Sequence, residues 1–174
     1  MPEGVVLRDL VVHSDDRGAL RELYRAEWID APAFKQWNLV RSEGRVLRGV
    51  HVHPRHADYL HVIEGTMILA LHDLRPEDPR DRISCFVTLS ADRPRTAYIP
   101  PGVCHGFWFA EPALYVYGLS SGWCMAEELG CRYDDPALGL DWQVENPRLS
   151  ARDQAPSTDY AAMRAAWIAT QATH

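Results

Sequence analysis

Short runs of β-branched and aromatic residues, each soon cut off by a turn signal, constrain this chain more than any other feature. Val5–Val12 is the first run, and Asp15-Asp16-Arg17-Gly18 turns the chain after it. Val46–His53 alternates in the manner of a half-buried strand. Tyr59–Leu71 holds two apolar runs around Glu64-Gly65-Thr66, the pattern of a hairpin. Ile83–Leu89, Thr96–Ile99, His105–Phe109 and Ala113–Leu119 read as further strands, with a turn at Pro100-Pro101-Gly102. Only Asp159–Gln171 has helical spacing, with Met163, Ala166, Trp167 and Thr170 on one face. Pro147–Ser157 reads as a polar surface loop. Many short strands bury their apolar faces only as a sandwich or barrel, so an all-β fold with a short C-terminal helix is expected.

A chain of 174 residues suits one such domain. Its expected layout is a strand arm over 1–30, a barrel over 31–145, and a loop and helix over 146–174. The net charge is −6 with both signs mixed, so no basic stripe offers itself to nucleic acid. A few local arginines still suffice to hold one anionic ligand. No apolar run is long enough to span a membrane. The N-terminus lacks the basic-then-apolar pattern of a secretory leader, so a cytoplasmic protein is expected. Cys85, Cys104, Cys124 and Cys131 form no CxxC pair and are expected as free thiols.

The informative region is RGVHVHPRHADYLHVIEG, residues 48–65. Strand alternation points His51 and His53 the same way. Asp58 and Gly65 follow, and Pro101-Gly102-Val103-Cys104-His105 comes later. This order resembles the two-part cupin signature, HxH, an acid, a glycine, then PxGxxH, with Asp58 in place of the usual glutamate. In metal-binding cupins those positions carry three imidazoles and a carboxylate. His51, His53, Asp58 and His105 are therefore the candidate set for a divalent transition metal such as Zn, Fe, Ni or Mn. His56 and His61 are extra: His56 falls in the loop, exposed or as an alternative ligand, and for both a role without chemistry is the favoured reading.

Further motifs narrow the resemblance. DDRGALRE (15–22), QWNLVRSEGRVLRGVH (36–51), HDLR (72–75), IPPGVCHGF (99–107), YDDPALGLDW (133–142) and LSARD (149–153) occur in the order seen in dTDP-4-dehydrorhamnose 3,5-epimerases. The chain resembles that family over nearly its whole length, which implies a cupin (jelly-roll) sandwich and epimerisation of a nucleotide-linked 4-keto-6-deoxyhexose at C3, C5 or both. The resemblance implies that His51 is the general base, Asp153 its orienting partner and Tyr117 the acid on the opposite face. It places Arg17, Glu22, Gln36, Asn38 and Arg48 at positions that contact the nucleotide, its diphosphate or the sugar, and His105 in the pocket. No cofactor is required for that chemistry. The segment holding Arg17 and Glu22 would reach the partner's site in a homodimer.

Two departures stand against the family pattern. A neutral residue is usual near His53, and a lysine is usual at Asp58. That lysine would stabilise an enolate, which an aspartate would repel. The same two changes complete the cupin metal set, and a bound cation could stand in for the lysine. If His51 ligates metal through one nitrogen, that nitrogen is lost to base chemistry. Alternatively Asp58 pairs with His53 or His56 and no metal binds. Two other functions therefore stay open beside the epimerase: a metal-dependent isomerase, lyase or dioxygenase on another small substrate, and a non-catalytic sugar-binding protein. Trp108, Phe109 and Trp123 are read as cavity or core aromatics.

Overall fold

The computed structural model describes residues 1–124, 128–156 and 158–172. Among the described residues twelve strands follow in chain order: β1 (Val6–Asp9), β2 (Val12–Asp15), β3 (Gly18–Arg21), β4 (Gln36–Ser42), β5 (Val46–Val52), β6 (Asp58–Glu64), β7 (Thr66–Asp73), β8 (Ser84–Ser90), β9 (Arg95–Ile99), β10 (Val103–Phe109), β11 (Ala113–Leu119) and β12 (Leu129–Gly130). Two helices follow, α1 (Ala151–Gln154) and α2 (Tyr160–Gln171). One sheet has the order β1-β9-β6-β11-β4 and the other β12-β5-β10-β7-β8, while β2 and β3 form a separate hairpin. This is the β-sandwich with a short C-terminal helix that the strand pattern predicts.

The sheets close on each other through the alternate residues that face inward. Leu60 and Val62 of β6, Leu69 and Leu71 of β7, Leu89 of β8, Ala97 and Ile99 of β9, and Phe109 and Tyr115 join one core cluster. Burying such side chains is worth about 1.5–3 kcal/mol each. A second cluster lies under α2, where Met163 is fully buried against a group that includes Val50, Val52, Leu74, Cys104 and Leu138. Asp159 caps α2 by accepting from the Ala162 N–H at 2.8 Å. All four cysteines are free. Among the described residues no helix is long and apolar enough to cross a membrane.

Several elements differ from the sequence expectation. The Val5–Val12 run splits, because β1 joins β9 while β2 turns back on β3. The turn at Asp15–Gly18 is the tip of that hairpin. Gln36–Ser42 is a strand although it was not expected as one, and it alternates with Trp37 and Leu39 outward and Val40 inward. The predicted loop from Pro147 contains the single helical turn α1, and Ser157 at its end lies outside the described residues.

One irregularity positions the site. His105 pairs with His51 and Phe107 with Arg48, so three steps on β5 face two on β10. The extra residue is a β-bulge, which re-aims the side chains beyond it. Strict alternation would set Arg48 and His51 on opposite faces, yet both line one cavity. Gly49 takes φ +109° inside the bulge, and a Cβ there would lie 2.9 Å from Gly106 Cα and from the His105 carbonyl oxygen.

Candidate active site

The cavity opens between the sheets and has a volume of about 250 Å³. Strand alternation supplies most of its wall. Tyr115, Tyr117 and Leu119 come from β11, Asp58 and Leu60 from β6, and His105 and Phe107 from β10. Arg48 and His51 come from β5, His53 from just past its end, and Arg152 and Asp153 from α1.

His51 and Asp153 meet although 102 residues separate them, with His51 Nε2 2.8 Å from Asp153 Oδ1. Two local features hold the carboxylate in place. The Arg148 carbonyl accepts from the Leu47 N–H at 3.0 Å, which runs the incoming segment beside β5. Ser150 then caps α1, its Oγ accepting from the Asp153 N–H at 3.1 Å. Burial works against the Asp153 carboxylate, but His51, Ser150 and the Gly49 backbone outweigh it and hold its pKa below the usual range. Burial pushes the His51 pKa down despite the pull of Asp153, so the imidazole is neutral near pH 7. With Nε2 committed to Asp153, Nδ1 is the nitrogen able to take up a proton. Tyr117 stands on the facing sheet. Burial, with Asp58 and Glu128 adding to it, raises its pKa and keeps the phenol protonated. A neutral base on one wall and a protonated acid on the other can remove and return a proton at one carbon.

A second cluster lies deeper. Asp58 Oδ2 is 2.9 Å from His105 Nε2 and 3.3 Å from His53 Nε2. The other face of His53 meets Glu128, with Nδ1 3.3 Å from Oε1. Glu128 is itself held by Arg152 Nη1 at 3.1 Å. Burial opposes charge on both partners of the Asp58–His53 pair, yet their mutual attraction prevails: the Asp58 pKa is driven down and that of His53 up. His56 stacks on His53 with ring centroids 4.0 Å apart.

The structure therefore brings together His51, His53, Asp58, His105, Arg48, Tyr117 and Asp153. Among the described residues two sets of donor atoms lie close enough to share one ion, His53 with Asp58 and His105, and His53 with His56 and Glu128; His51 belongs to neither. The Asp58–His53 contact is the pairing foreseen as the alternative to metal. Gln36 and Asn38 bond each other at 3.1 Å on the inward face of β4. They reach the cavity indirectly, the Gln36 side-chain oxygen accepting from the Trp123 N–H at 2.9 Å. Arg17 and Glu22 are not in the cavity of their own chain. Arg17 sits at the β2–β3 turn paired with Asp15, and Glu22 pairs with Arg25. Trp123 lines the cavity and Phe109 is core. His61 is structural, bonded to the Arg95 carbonyl at 3.2 Å. His56 is buried and stacks within the deeper cluster, within ligand-sharing distance of His53 and Glu128. Glu128 and Arg152 carried no motif signal of their own, although Arg152 lies beside Asp153 in the LSARD motif.

Proton transfer on a bound small molecule, inside a cupin-like β-sandwich, is the chemistry this pocket defines. The chain belongs to the dTDP-4-dehydrorhamnose 3,5-epimerase family, whose pattern it matches over residues 2–159, and so it is by family an isomerase-class carbohydrate epimerase. A dTDP-4-dehydrorhamnose 3,5-epimerase of Streptomyces griseus is 34% identical over 166 residues, spanning 88% of this chain and 82% of its own. Among solved structures, NovW, a 4-keto-6-deoxy sugar epimerase from the novobiocin biosynthetic gene cluster of Streptomyces spheroides, superposes with a TM-score of 0.83 at 31% identity, over 95% of this chain and 87% of that one. ChmJ, a 3'-monoepimerase of Streptomyces bikiniensis solved with dTDP-quinovose, superposes with a TM-score of 0.80 at 29% identity, over 97% and 96% of the two chains.

Proposed function

We propose that this chain epimerises a dTDP-linked 4-keto-6-deoxyhexose at C3, C5 or both. The observation that carries the reading is the His51–Asp153 pair at 2.8 Å facing Tyr117 across one cavity. His51 takes the proton beside the ketone, and the C–H electron pair moves into the enolate. Asp153 holds the ring in the productive tautomer and stabilises the imidazolium that forms. Tyr117 then delivers a proton to the opposite face, which inverts the centre. Arg48 lines the same cavity and suits a diphosphate oxygen, its planar fork being bidentate. Relatives that act on 4-keto-6-deoxy sugars or were solved with dTDP-quinovose support the nucleotide-sugar substrate.

The reading extends to a cytoplasmic homodimer. β4 turns Trp37 and Leu39 outward, and the β2–β3 region exposes Val11, Val12 and Leu20. An apolar face of this kind favours a second copy. Arg17 and Glu22 lie on that arm, away from their own cavity, where they would serve a partner's site.

The test is deuterium wash-in. Purified protein incubated with dTDP-4-keto-6-deoxyglucose in heavy water is expected to place one or two deuterons on the sugar, and His51→Ala to abolish uptake. No uptake by fully folded wild-type protein would overturn the reading for that substrate.

A further inference from the structure

An enolate places negative charge on the former ketone oxygen, and an enzyme that makes one needs positive charge beside it. The deep wall of this cavity instead presents a carboxylate, Asp58, between two imidazoles. The three donor atoms of His53, Asp58 and His105 lie within 4.8 Å of one another. Their residues are only 8%, 3% and 4% exposed.

The surroundings fix these donors for more than mutual pairing. His105 Nδ1 lies 3.2 Å from the Val103 carbonyl oxygen, a bond only Nδ1–H can donate. In the neutral ring this leaves the Nε2 lone pair aimed at the cluster. On the far side of His53, Nδ1 lies 3.3 Å from Glu128 Oε1 without a formed hydrogen bond, and Glu128 is braced by Arg152. An imidazole whose far nitrogen donates to a carbonyl, as in His105, is the outer arrangement that orients metal-ligating histidines. His53 Nδ1, Asp58 Oδ1 and both ring nitrogens of His56 are buried without a hydrogen-bond partner. Unsatisfied buried polar atoms at one spot point to a missing ligand.

We propose that His53 Nε2, the Asp58 carboxylate and His105 Nε2 bind one divalent transition-metal ion, with Glu128 orienting His53 from behind. Two imidazoles and one carboxylate suit such an ion and leave coordination positions open toward the cavity. His51 stays outside the set, so the base and the ion occupy separate parts of one pocket. The ion supplies the positive charge that the sugar's ketone oxygen needs as His51 takes the neighbouring proton. This catalytic role rests on the epimerase reading; the binding of the ion does not.

The test strips purified full-length protein with a chelator and offers Zn²⁺, Fe²⁺ and Co²⁺ separately. Calorimetry and elemental analysis give stoichiometry, and cobalt absorption reports nitrogen ligation. One equivalent per chain is expected, with affinity lowered about 10–100-fold in Glu128→Gln. Asp58→Asn, which keeps the side-chain volume, and His105→Ala are expected to lower it further, and His51→Ala to leave it within about two-fold. Circular dichroism checks the fold of each variant, and Glu128→Gln stands in for any that unfolds. No stoichiometric binding by folded wild-type protein overturns the site and leaves Asp58 as the shared counter-ion of two imidazoles. Binding unchanged by Asp58→Asn overturns the ligand set. Stoichiometric binding without deuterium uptake sustains the site while removing the epimerase reading. Uptake undiminished in the stripped protein removes the catalytic role.

Discussion

His51 Nε2 and Asp153 Oδ1 stand 2.8 Å apart, joining a strand of the sandwich to a single helical turn near the C-terminus. The carboxylate does more than fill a hydrogen-bonding site. By accepting from Nε2–H it selects the tautomer whose Nδ1 lone pair is available, and it favours the protonated ring that forms during reaction. An asparagine of the same shape accepts as well but brings no charge, and if flipped it donates and reverses the tautomer. Asp153→Asn is therefore expected to reduce the rate of deuterium uptake by about 10²–10⁴-fold. Substrate binding should change far less, which single-turnover exchange at saturating sugar would show. Equal uptake by mutant and wild type would dismiss Asp153 as a partner in proton transfer.

Tyr117 lies on the sheet opposite His51, so the two groups divide the reaction between them. In Tyr117→Phe, His51 can still remove a proton and return one to the same face. Deuterium should continue to enter the sugar while formation of the inverted epimer falls about 100-fold. Mass spectrometry counts the first and proton coupling constants in NMR report the second. Loss of both in equal measure would mean that the phenol acts before or during proton abstraction.

The β5 bulge is what lets Arg48 and His51 share a cavity, and Gly49 makes the bulge. A side chain at φ +109° is strained, and its Cβ would meet two backbone positions at 2.9 Å. Gly49→Ala is expected to cost ~2 kcal/mol or more in urea denaturation. Uptake should fall as well, because relief of the clash moves the strand that carries both residues. A stable, fully active variant would show that the bulge has slack.

How far the sequence alone reaches depends on which physical rule governs each element. The strands β6, β7, β10 and β11 lie close to where the pattern places them, but the hairpin expected around Gly65 does not form: β6 and β7 belong to opposite sheets, so that turn carries the chain from one layer to the other. The pattern does not place strand β4, because Gln36 and Asn38 face inward while Trp37 and Leu39 face out. Of its apolar residues only Val40 faces the core, so the hydrophobic pattern of β4 does not read as an inward face. Strict period-2 reading also misplaces Arg48 relative to His51, since the extra residue at the bulge cannot be counted from β5 alone. The His51–Asp153 contact is invisible to local pattern and came from resemblance of motif order. Glu128 had neither source, and only the three-dimensional neighbourhood of His53 and Arg152 gives it a role.

The last prediction concerns a histidine far from the reaction. His72 is a buried residue of β7, its Nδ1 2.8 Å from Ser84 Oγ and its Nε2 2.9 Å from the Tyr160 hydroxyl. Ser84 spends its own hydrogen on the Leu138 carbonyl at 2.6 Å, so it accepts from His72 Nδ1–H. Arg82 donates to the Tyr160 oxygen at 3.1 Å, which leaves the phenol hydrogen for Nε2. Every partner is satisfied by neutral imidazole and none by a second ring proton. Burial, opposed in part by the Leu138 backbone and reinforced by Arg82, lowers the pKa from 6.5 to about 4. The unfolded chain thus binds a proton that the folded one refuses, so this contribution to stability is complete above pH ~6.5 and is lost progressively as the pH falls towards ~4. The shift corresponds to about 3 kcal/mol as an order of magnitude. Urea titrations at intervals across that window should show wild-type stability falling with acidity, and His72→Gln, though less stable at neutral pH, should show a flatter slope. Parallel slopes in the two proteins would place the acid sensitivity elsewhere.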